Sequence, residues 1–204
     1  QIPVVLAYKM NGEFIPAARG GPARVVLAGA YGDKSIKWVQ RVVLTNDFKA
    51  NDSDAADFNA DVETAMKTKA RFIHAPREVA AGKPAALTGF ALIGISGIDK
   101  VQYCVHSQGD PWPADDPYCT RADWRDAAIL PAPADWGGGL PGGKLPTNTR
   151  QVDPAMGTPV EWPMRFTIAH WAALLPGMPA GKYDLRCRTI DRNGIAQPLP
   201  RPLL

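Results

Sequence analysis

Two basic side chains near the start of the sequence stand beside glycine-rich turns. Arg24 follows Gly20-Gly21-Pro22, and Lys37 follows the stretch from Gly29 to Ser35. Glycine lets a backbone approach a bulky ligand closely, and an arginine guanidinium offers a bidentate fork to a phosphate. Ser35 and the amides of its turn add neutral donors. The pattern predicts an anion-binding cradle; without further context, the alternative is a strand pair with solvated cations.

Three linked motifs carry these residues: Leu6-Ala-Tyr-Lys-Met-Asn-Gly-Glu, Gly20-Gly-Pro-Ala-Arg24-Val-Val and Gly29-Ala-Tyr-Gly32-Asp-Lys-Ser35-Ile36-Lys37-Trp38. Their order and tight spacing resemble the sulfite oxidase family of molybdopterin-dependent oxidoreductases, and a linked set is more specific than one glycine pattern. The resemblance implies that the cofactor site is lined by Arg19, Arg24, Ser35, Ile36 and Lys37. Arg19 departs from the family pattern, since many members have His there, although an arginine can also contact an anion.

A second group of motifs, near the C-terminus, resembles the dimerisation domain of the same family. It includes Trp162-Pro-Met-Arg165 and Gly181-Lys-Tyr-Asp-Leu. The resemblance implies that Arg165 has a catalytic role, reaching the substrate pocket, where its guanidinium would bind a small oxyanion. The alternative is a sheet-face arginine stacked on Trp162 or Trp171 by a cation–π contact.

The strand and turn signals predict a mainly β chain, because 20 Pro and 19 Gly favour turns and short strands over a helical bundle. We expect residues 1–76 to be the C-terminal segment of an α+β molybdopterin-binding domain. Residues 77–204 are expected to form an immunoglobulin-like β-sandwich used for dimerisation. The stretch from Pro131 to Glu161 has few strand signals and is expected to be a long functional or mobile loop.

Individual elements follow from local patterns. Asn11-Gly12 is a hairpin signal, and Asn59 to Lys69, with acids early and lysines late, predicts a short helix. Tyr183 is expected to be buried near the start of its strand. The expected strands are Ile2–Tyr8, Arg24–Ala28, Lys37–Leu44, Ala86 onward, Lys100–Ser107, Trp124–Leu130, Arg165–Trp171 and Lys182–Ile190.

The three cysteines fall in the predicted sandwich. Cys104 and Cys187 lie on opposite faces of their strands if both apolar faces are core faces, so we expect no disulfide between them. The family binds molybdenum through a cysteine in the upstream half of its first domain, and neither these two nor Cys119 has that context. The resemblance therefore implies that no residue of this chain ligates the metal, and that the chain alone is inactive.

Other function classes find little support. A net charge of +3 with both signs dispersed does not indicate nucleic-acid binding, and no apolar run is long enough to span a membrane. The three histidines lack metal-ligand spacing, and the spacing of Asp52, Asp54, Asp57 and Asp61 is wrong for a calcium loop. Six tryptophans could suggest a carbohydrate-binding face, but their spacing favours packing.

The resemblance implies a specific activity for a parent protein, and Gln1 indicates that the chain is cut from something longer. That protein would oxidise a small oxyanion such as sulfite by oxygen-atom transfer at a molybdenum–molybdopterin cofactor and pass electrons to a cytochrome or haem acceptor. It would be a homodimer through the sandwich and periplasmic or otherwise exported. The alternative is a non-catalytic immunoglobulin-like module for dimerisation or partner binding.

Overall fold

The computed structural model describes residues 4–30, 32–44, 66–116, 118–134, 136, 141–143, 145–146 and 149–197. The chain divides into two compact units. The first comprises the described residues of Gln1–Met66 and Gly139–Pro146, and the second those of Lys67–Gly138 and Thr147–Leu204.

The first unit is built from short β elements. β1 (Val4–Ala7) pairs antiparallel with β4 (Arg24–Leu27), and β2 (Lys9–Met10) pairs with β3 (Glu13–Phe14). The β2–β3 turn confirms the hairpin signal, because Asn11 and Gly12 both adopt the positive φ that a tight hairpin turn requires, at 54° and 86°. The described part of the unit also has 3-10 turns at Ala17–Arg19, Gly32–Lys34 and Pro141–Gly143.

The strand expected over Lys37–Leu44 is not formed. This segment runs beside β4, with hydrogen bonds from Val25 N to Ile36 O and from Val39 N to Ala23 O, but no regular ladder follows. Trp38 has a φ of 53°, a left-handed conformation that interrupts extended geometry. The prediction was wrong because residue types in this stretch favour a strand while one backbone angle prevents it.

The second unit is one antiparallel sheet of six strands. Its spatial order is β10-β7-β8-β9-β6-β5, and β10 also lies against β5, so the sheet folds over into a sandwich around one core. The mainly β fold predicted from the sequence is therefore confirmed. The strands are β5 (Lys69–His74), β6 (Ala85–Leu92), β7 (Lys100–Ser107), β8 (Arg125–Ile129), β9 (Ile168–Leu175) and β10 (Tyr183–Ile190).

Alternation along the strands builds this core. In β6, β7 and β9 every second side chain points inward, which leaves Leu87, Val101 and Trp171 without solvent exposure. The edges of the folded sheet are joined by polar bonds: Thr189 Oγ1 donates to Thr68 O at 2.9 Å, and Gln197 Oε1 accepts from Ala70 N. Tyr183 is half-buried, and its hydroxyl donates to Pro179 O at 3.1 Å, four residues upstream.

Two expectations differ from the structure at the start of this unit. Most of the helix expected over Asn59–Lys69 lies outside the described residues, but Met66–Thr68 are not helical and Lys69 begins β5. Because β5 pairs with β6, the units divide after Met66, ahead of the boundary expected between residues 76 and 77. The domain assignments themselves stay predictions.

The long connection between β8 and β9 carries little regular structure. Its described part contains one 3-10 turn, Pro141–Gly143, and one isolated bridge between Val152 and Pro159. Within the described residues, no helix is long and apolar enough to cross a membrane.

Candidate functional site

All five residues predicted to line the cofactor site lie in the first unit, on two backbone segments that run side by side. Arg19 ends a 3-10 turn and Arg24 begins β4, whereas Ser35, Ile36 and Lys37 follow the second 3-10 turn. Hydrogen bonds join the two segments at several points, including Val25 N to Ile36 O at 2.9 Å. The structure therefore brings these residues onto one local scaffold, as the motifs predict.

Glycines allow the two segments to approach closely. Gly20 has a φ of 98°, and a Cβ atom placed there would lie 2.7 Å from Cγ of Lys37. A Cβ at Gly21 would overlap the carbonyl of Ile15. A side chain at Gly20 would push Lys37 away and one at Gly21 would collide with the backbone of Ile15, so glycine is required at both.

Two nitrogens of the Arg24 guanidinium differ in their hydrogen bonding. Its Nη1 donates to the carbonyl of Arg19 at 3.0 Å, which fixes the guanidinium against the preceding turn. Its Nε is buried and has no hydrogen-bond partner among the described residues. A buried donor without an acceptor is costly, and an anionic ligand would satisfy it.

Ser35 and Ile36 contribute mainly to the scaffold. Ser35 Oγ is half-buried and accepts from Leu27 N at 3.2 Å, which leaves its hydroxyl hydrogen to donate elsewhere. Ile36 uses its carbonyl to hold β4, and its side chain is exposed. Of the two, only Ser35 can therefore offer a side-chain hydrogen bond to a ligand.

Lys37 and Trp38 form the exposed end of the scaffold. Lys37 Nζ lies 5.5 Å from the centroid of the Trp38 ring, within the range of a cation–π contact. We predicted from the sequence that Trp38 is a packing residue, but its side chain is 58% exposed. Its Nε1 donates instead to Ala17 O at 2.7 Å, a contact that no sequence pattern signals.

The three cations predicted for the site have no anionic partner within the described residues. Neither Arg19, Arg24 nor Lys37 forms an ion pair there, whereas the ion pairs that are described lie in the second unit. Three cations on glycine-lined backbone, with one buried donor that has no partner among the described residues, suit a phosphate-bearing ligand. The residues present therefore fit the phosphate of a pterin cofactor.

An open depression of about 760 Å³ borders this cluster on the first unit. Its walls are mainly apolar but include one further cation, Arg41. The lining residues are Val25, Ile36, Trp38, Val39, Gln40, Arg41 and Val42.

Arg165 lies in the second unit and not in a strand. It occupies the turn before β9, next to Phe166 at a φ of 62°, and its side chain is exposed. The strand expected from Arg165 begins only at Ile168, because this left-handed residue ends the extended geometry. Arg165 makes no ring contact with Trp162 or Trp171 within the described residues.

Two of the three thiols in the second unit are poor nucleophiles. Cys104, Cys119 and Cys187 are free, and the first two are buried. Burial raises the pKa of Cys104 to about 11 and that of Cys187 to about 12, so both are neutral near pH 7. Among the described residues, no group of three or more His, Cys, Asp or Glu side chains could hold a metal ion.

Comparison with known proteins relates the first unit to one family. Residues 1–52 match the model of the oxidoreductase molybdopterin binding domain. Sulfite oxidase of Gallus gallus is 46% identical over 44 residues, which are 22% of this chain and 10% of that protein. Nitrate reductase [NADPH] of Fusarium oxysporum is 41% identical over 44 residues, 22% of this chain and 5% of that protein.

A solved structure extends the likeness to the fold of most of the chain. The sulfane dehydrogenase SoxCD from Paracoccus pantotrophus aligns with 96% of this chain and 42% of its own, at a TM-score of 0.51 and 19% identity. The chain thus spans less than half of that structure and at most a tenth of the curated relatives described above. Residues 1–52 are thus similar to the oxidoreductase molybdopterin binding domain, and the resemblance of the chain to the sulfite oxidase family predicted from its motifs is confirmed. The likeness to SoxCD concerns the fold alone.

Proposed function

We propose that this chain is the C-terminal portion of a molybdenum-cofactor oxidoreductase and that its first unit binds the phosphate of molybdopterin. One observation carries the proposal: the buried Nε of Arg24 has no hydrogen-bond partner among the described residues, on the scaffold that also carries Arg19 and Lys37. Arg24 would donate to the phosphate in a fixed direction, since the carbonyl of Arg19 already holds its Nη1. Lys37 would add charge from the neighbouring segment.

The substrate that we propose is a small oxyanion such as sulfite. The molybdenum cofactor, when bound, supplies the oxygen-atom transfer. The residues of this chain bind and orient the cofactor and the substrate. Arg165 is the candidate substrate residue, because its exposed guanidinium has no partner among the described residues and could lower the cost of desolvating an oxyanion. Support for sulfite comes from the likeness of residues in the first unit to sulfite oxidase.

The partners and location of the protein are further parts of the proposal. Electrons would leave one at a time to a cytochrome or haem protein, the sandwich would pair with a second copy, and the enzyme would act in the periplasm or outside the cell. These follow from the resemblance to the sulfite oxidase family. The alternative is that the sandwich serves only for dimerisation or partner binding, which its independent core would allow.

The test replaces Arg24 or Lys37 by alanine in the full-length parent protein, in which this chain supplies the only copy of these residues. Loss of a charge-assisted hydrogen bond weakens binding by about tenfold or more, so both variants should retain less pterin per protein after dialysis. The measurement is the fluorescence of the oxidised pterin released from purified protein. Normal pterin content in both variants would refute the phosphate cradle.

Arg165→Ala provides the matched control, since it removes a guanidinium from the other unit. We expect its pterin content to stay unchanged while the KM for sulfite rises at least about tenfold. An unchanged KM removes Arg165 from the substrate pocket without affecting the assignment of the cofactor site.

A further inference from the structure

Trp38 has features that packing does not explain. It is a large aromatic residue, yet more than half of its side chain is exposed, so it contributes little to a core. Its φ of 53° lies in the left-handed region, which bulky residues rarely adopt unless their surroundings hold them there.

The contacts of Trp38 converge on one short turn. Its indole Nε1 donates to Ala17 O at 2.7 Å, and its backbone N donates to Gly20 O at 3.1 Å. Arg24 Nη1 donates to Arg19 O in the same turn. Three donors from two segments thus hold the carbonyls of Ala17, Arg19 and Gly20 in the turn that carries Arg19.

Trp38 also restricts the position of Lys37. The two are adjacent in sequence, the stem of Lys37 packs over Gly20, and its Nζ lies near the Trp38 ring. If the indole released Ala17, the turn with Arg19 and the segment with Lys37 would lose one of their connections. The cations would then have to be ordered when the anion binds, which weakens binding.

We propose that Trp38 is a positioning residue of the candidate site: its indole N–H holds the Arg19 turn in register with Lys37, so that the cation cluster is preorganised for a phosphate group. This rests on the proposed function and adds a residue that acts on the anion only through its neighbours. The indole hydrogen bond to a backbone carbonyl is the contact on which it depends.

The test uses the 204-residue chain and inorganic phosphate. Backbone and indole N–H signals of the ¹⁵N-labelled chain are followed during a phosphate titration for the unaltered chain and for Trp38→Phe, Trp124→Phe and Arg24→Ala. Trp124 is the matched control, because its Nε1 also donates to a backbone carbonyl, Cys119 O at 2.8 Å, but in the second unit. Trp38→Phe should raise the Kd for phosphate about three- to fivefold, in keeping with the loss of one neutral hydrogen bond.

The variants separate the possible outcomes. Trp124→Phe should leave the phosphate Kd unchanged, whereas Arg24→Ala should abolish binding. Replacing Trp38 by benzothienylalanine, which keeps the bicyclic shape but lacks the N–H, should weaken binding as Trp38→Phe does, and it covers the case in which the phenylalanine variant folds poorly. Unchanged affinity in both Trp38 variants overturns this inference alone. Phosphate binding that Arg24→Ala leaves intact, or no binding by the unaltered chain, overturns the proposed function and this inference together.

Discussion

Asp116 shows how a single carboxylate organises a loop of the second unit. Its oxygens accept hydrogen bonds from the backbone N of Arg121 and from the backbone N and hydroxyl of Thr120, each at 2.8 Å. These bonds favour the charged form, and the backbone N–H of Arg121 is the strongest of them in holding the pKa of Asp116 below its ordinary range. The loop is therefore stabilised by a negative charge and not by apolar burial alone.

Replacement of Asp116 by asparagine should destabilise the chain in a pH-dependent way. A carboxylate with a lowered pKa stabilises the fold above its unfolded-state pKa, about 3.9, and this contribution is lost as pH falls through the folded-state value. Asp116→Asn should lower the midpoint of thermal unfolding by several degrees at pH 7 and much less at pH 3. The unfolding midpoints are measured by circular dichroism at both pH values. If the unaltered chain and the variant differ by the same amount at pH 7 and pH 3, the charge-based account is contradicted.

At the scale of single residues, the sequence predicts chemistry better than conformation. Arg24 and Lys37 could be assigned to the proposed site from motif order, because residue type determines charge and donor geometry. The role proposed for Trp38 could not be predicted, since it depends on a positive φ that nothing in a tryptophan favours. Arg165 was placed in a strand for the same reason: the left-handed φ of Phe166 is a tertiary feature.

At the scale of elements, the pairing of β6 with β9 organises the core of the second unit. Gly89 lies opposite Trp171 in this register, and the indole fills the space that a side chain at Gly89 would occupy. The carbonyl of Arg71 on β5 closes the same space from the other side. Glycine is therefore required here by close packing and not by a turn.

Gly89→Ala should destabilise the second unit by at least about 2 kcal/mol, because the methyl group would overlap both the indole and a backbone oxygen. Urea denaturation followed by tryptophan fluorescence measures the change. Gly109→Ala is the control, since a Cβ there would lie an ordinary 3.4 Å from Ser107 Oγ in an exposed turn. If the free energy of unfolding falls no further in Gly89→Ala than in the control, the core relaxes around the added methyl group.

Elements with strong alternation were predictable, and those without it were not. The bounds of β7 agree with the expected strand because Val101 and Tyr103 alternate with more polar neighbours. β5 was missed because the charges before it suggested a helix, although its own residues, such as the buried Ala70, alternate in burial. The secondary structure of this segment is therefore determined by the pairing of β5 with β6 and not by the local order of charges. Sequence patterns do not reveal that pairing.

At the scale of the whole molecule, the sequence predicts two domains and a mainly β fold. The sandwich followed from the density of turns and short strands, and the structure confirms that class. The division after Met66 could not be located, because it depends on which unit β5 joins. Composition limits the class of fold, whereas the register between strands distant in sequence determines the boundary.

The outer face of β6 and β9 gives the dimer prediction a location. Leu92 pairs with Ile168 and Ala86 with Leu174, so apolar pairs stand at both ends of this face, with Thr88 and His170 among the residues between them; Ile168 is 50% and Leu174 is 65% exposed. Large apolar side chains exposed on a sheet face are typical of a protein interface, and a second copy related by two-fold symmetry would cover them.

We therefore expect static light scattering to give a dimer for the unaltered chain and a monomer for Leu174→Glu, because a charge would have to be buried at the interface. Met156→Glu is the control: its side chain is 74% exposed in the long loop, so the dimer should persist. A monomer for the unaltered chain at all concentrations would contradict dimerisation. A dimer that Leu174→Glu leaves intact would place the interface on another face of the sandwich.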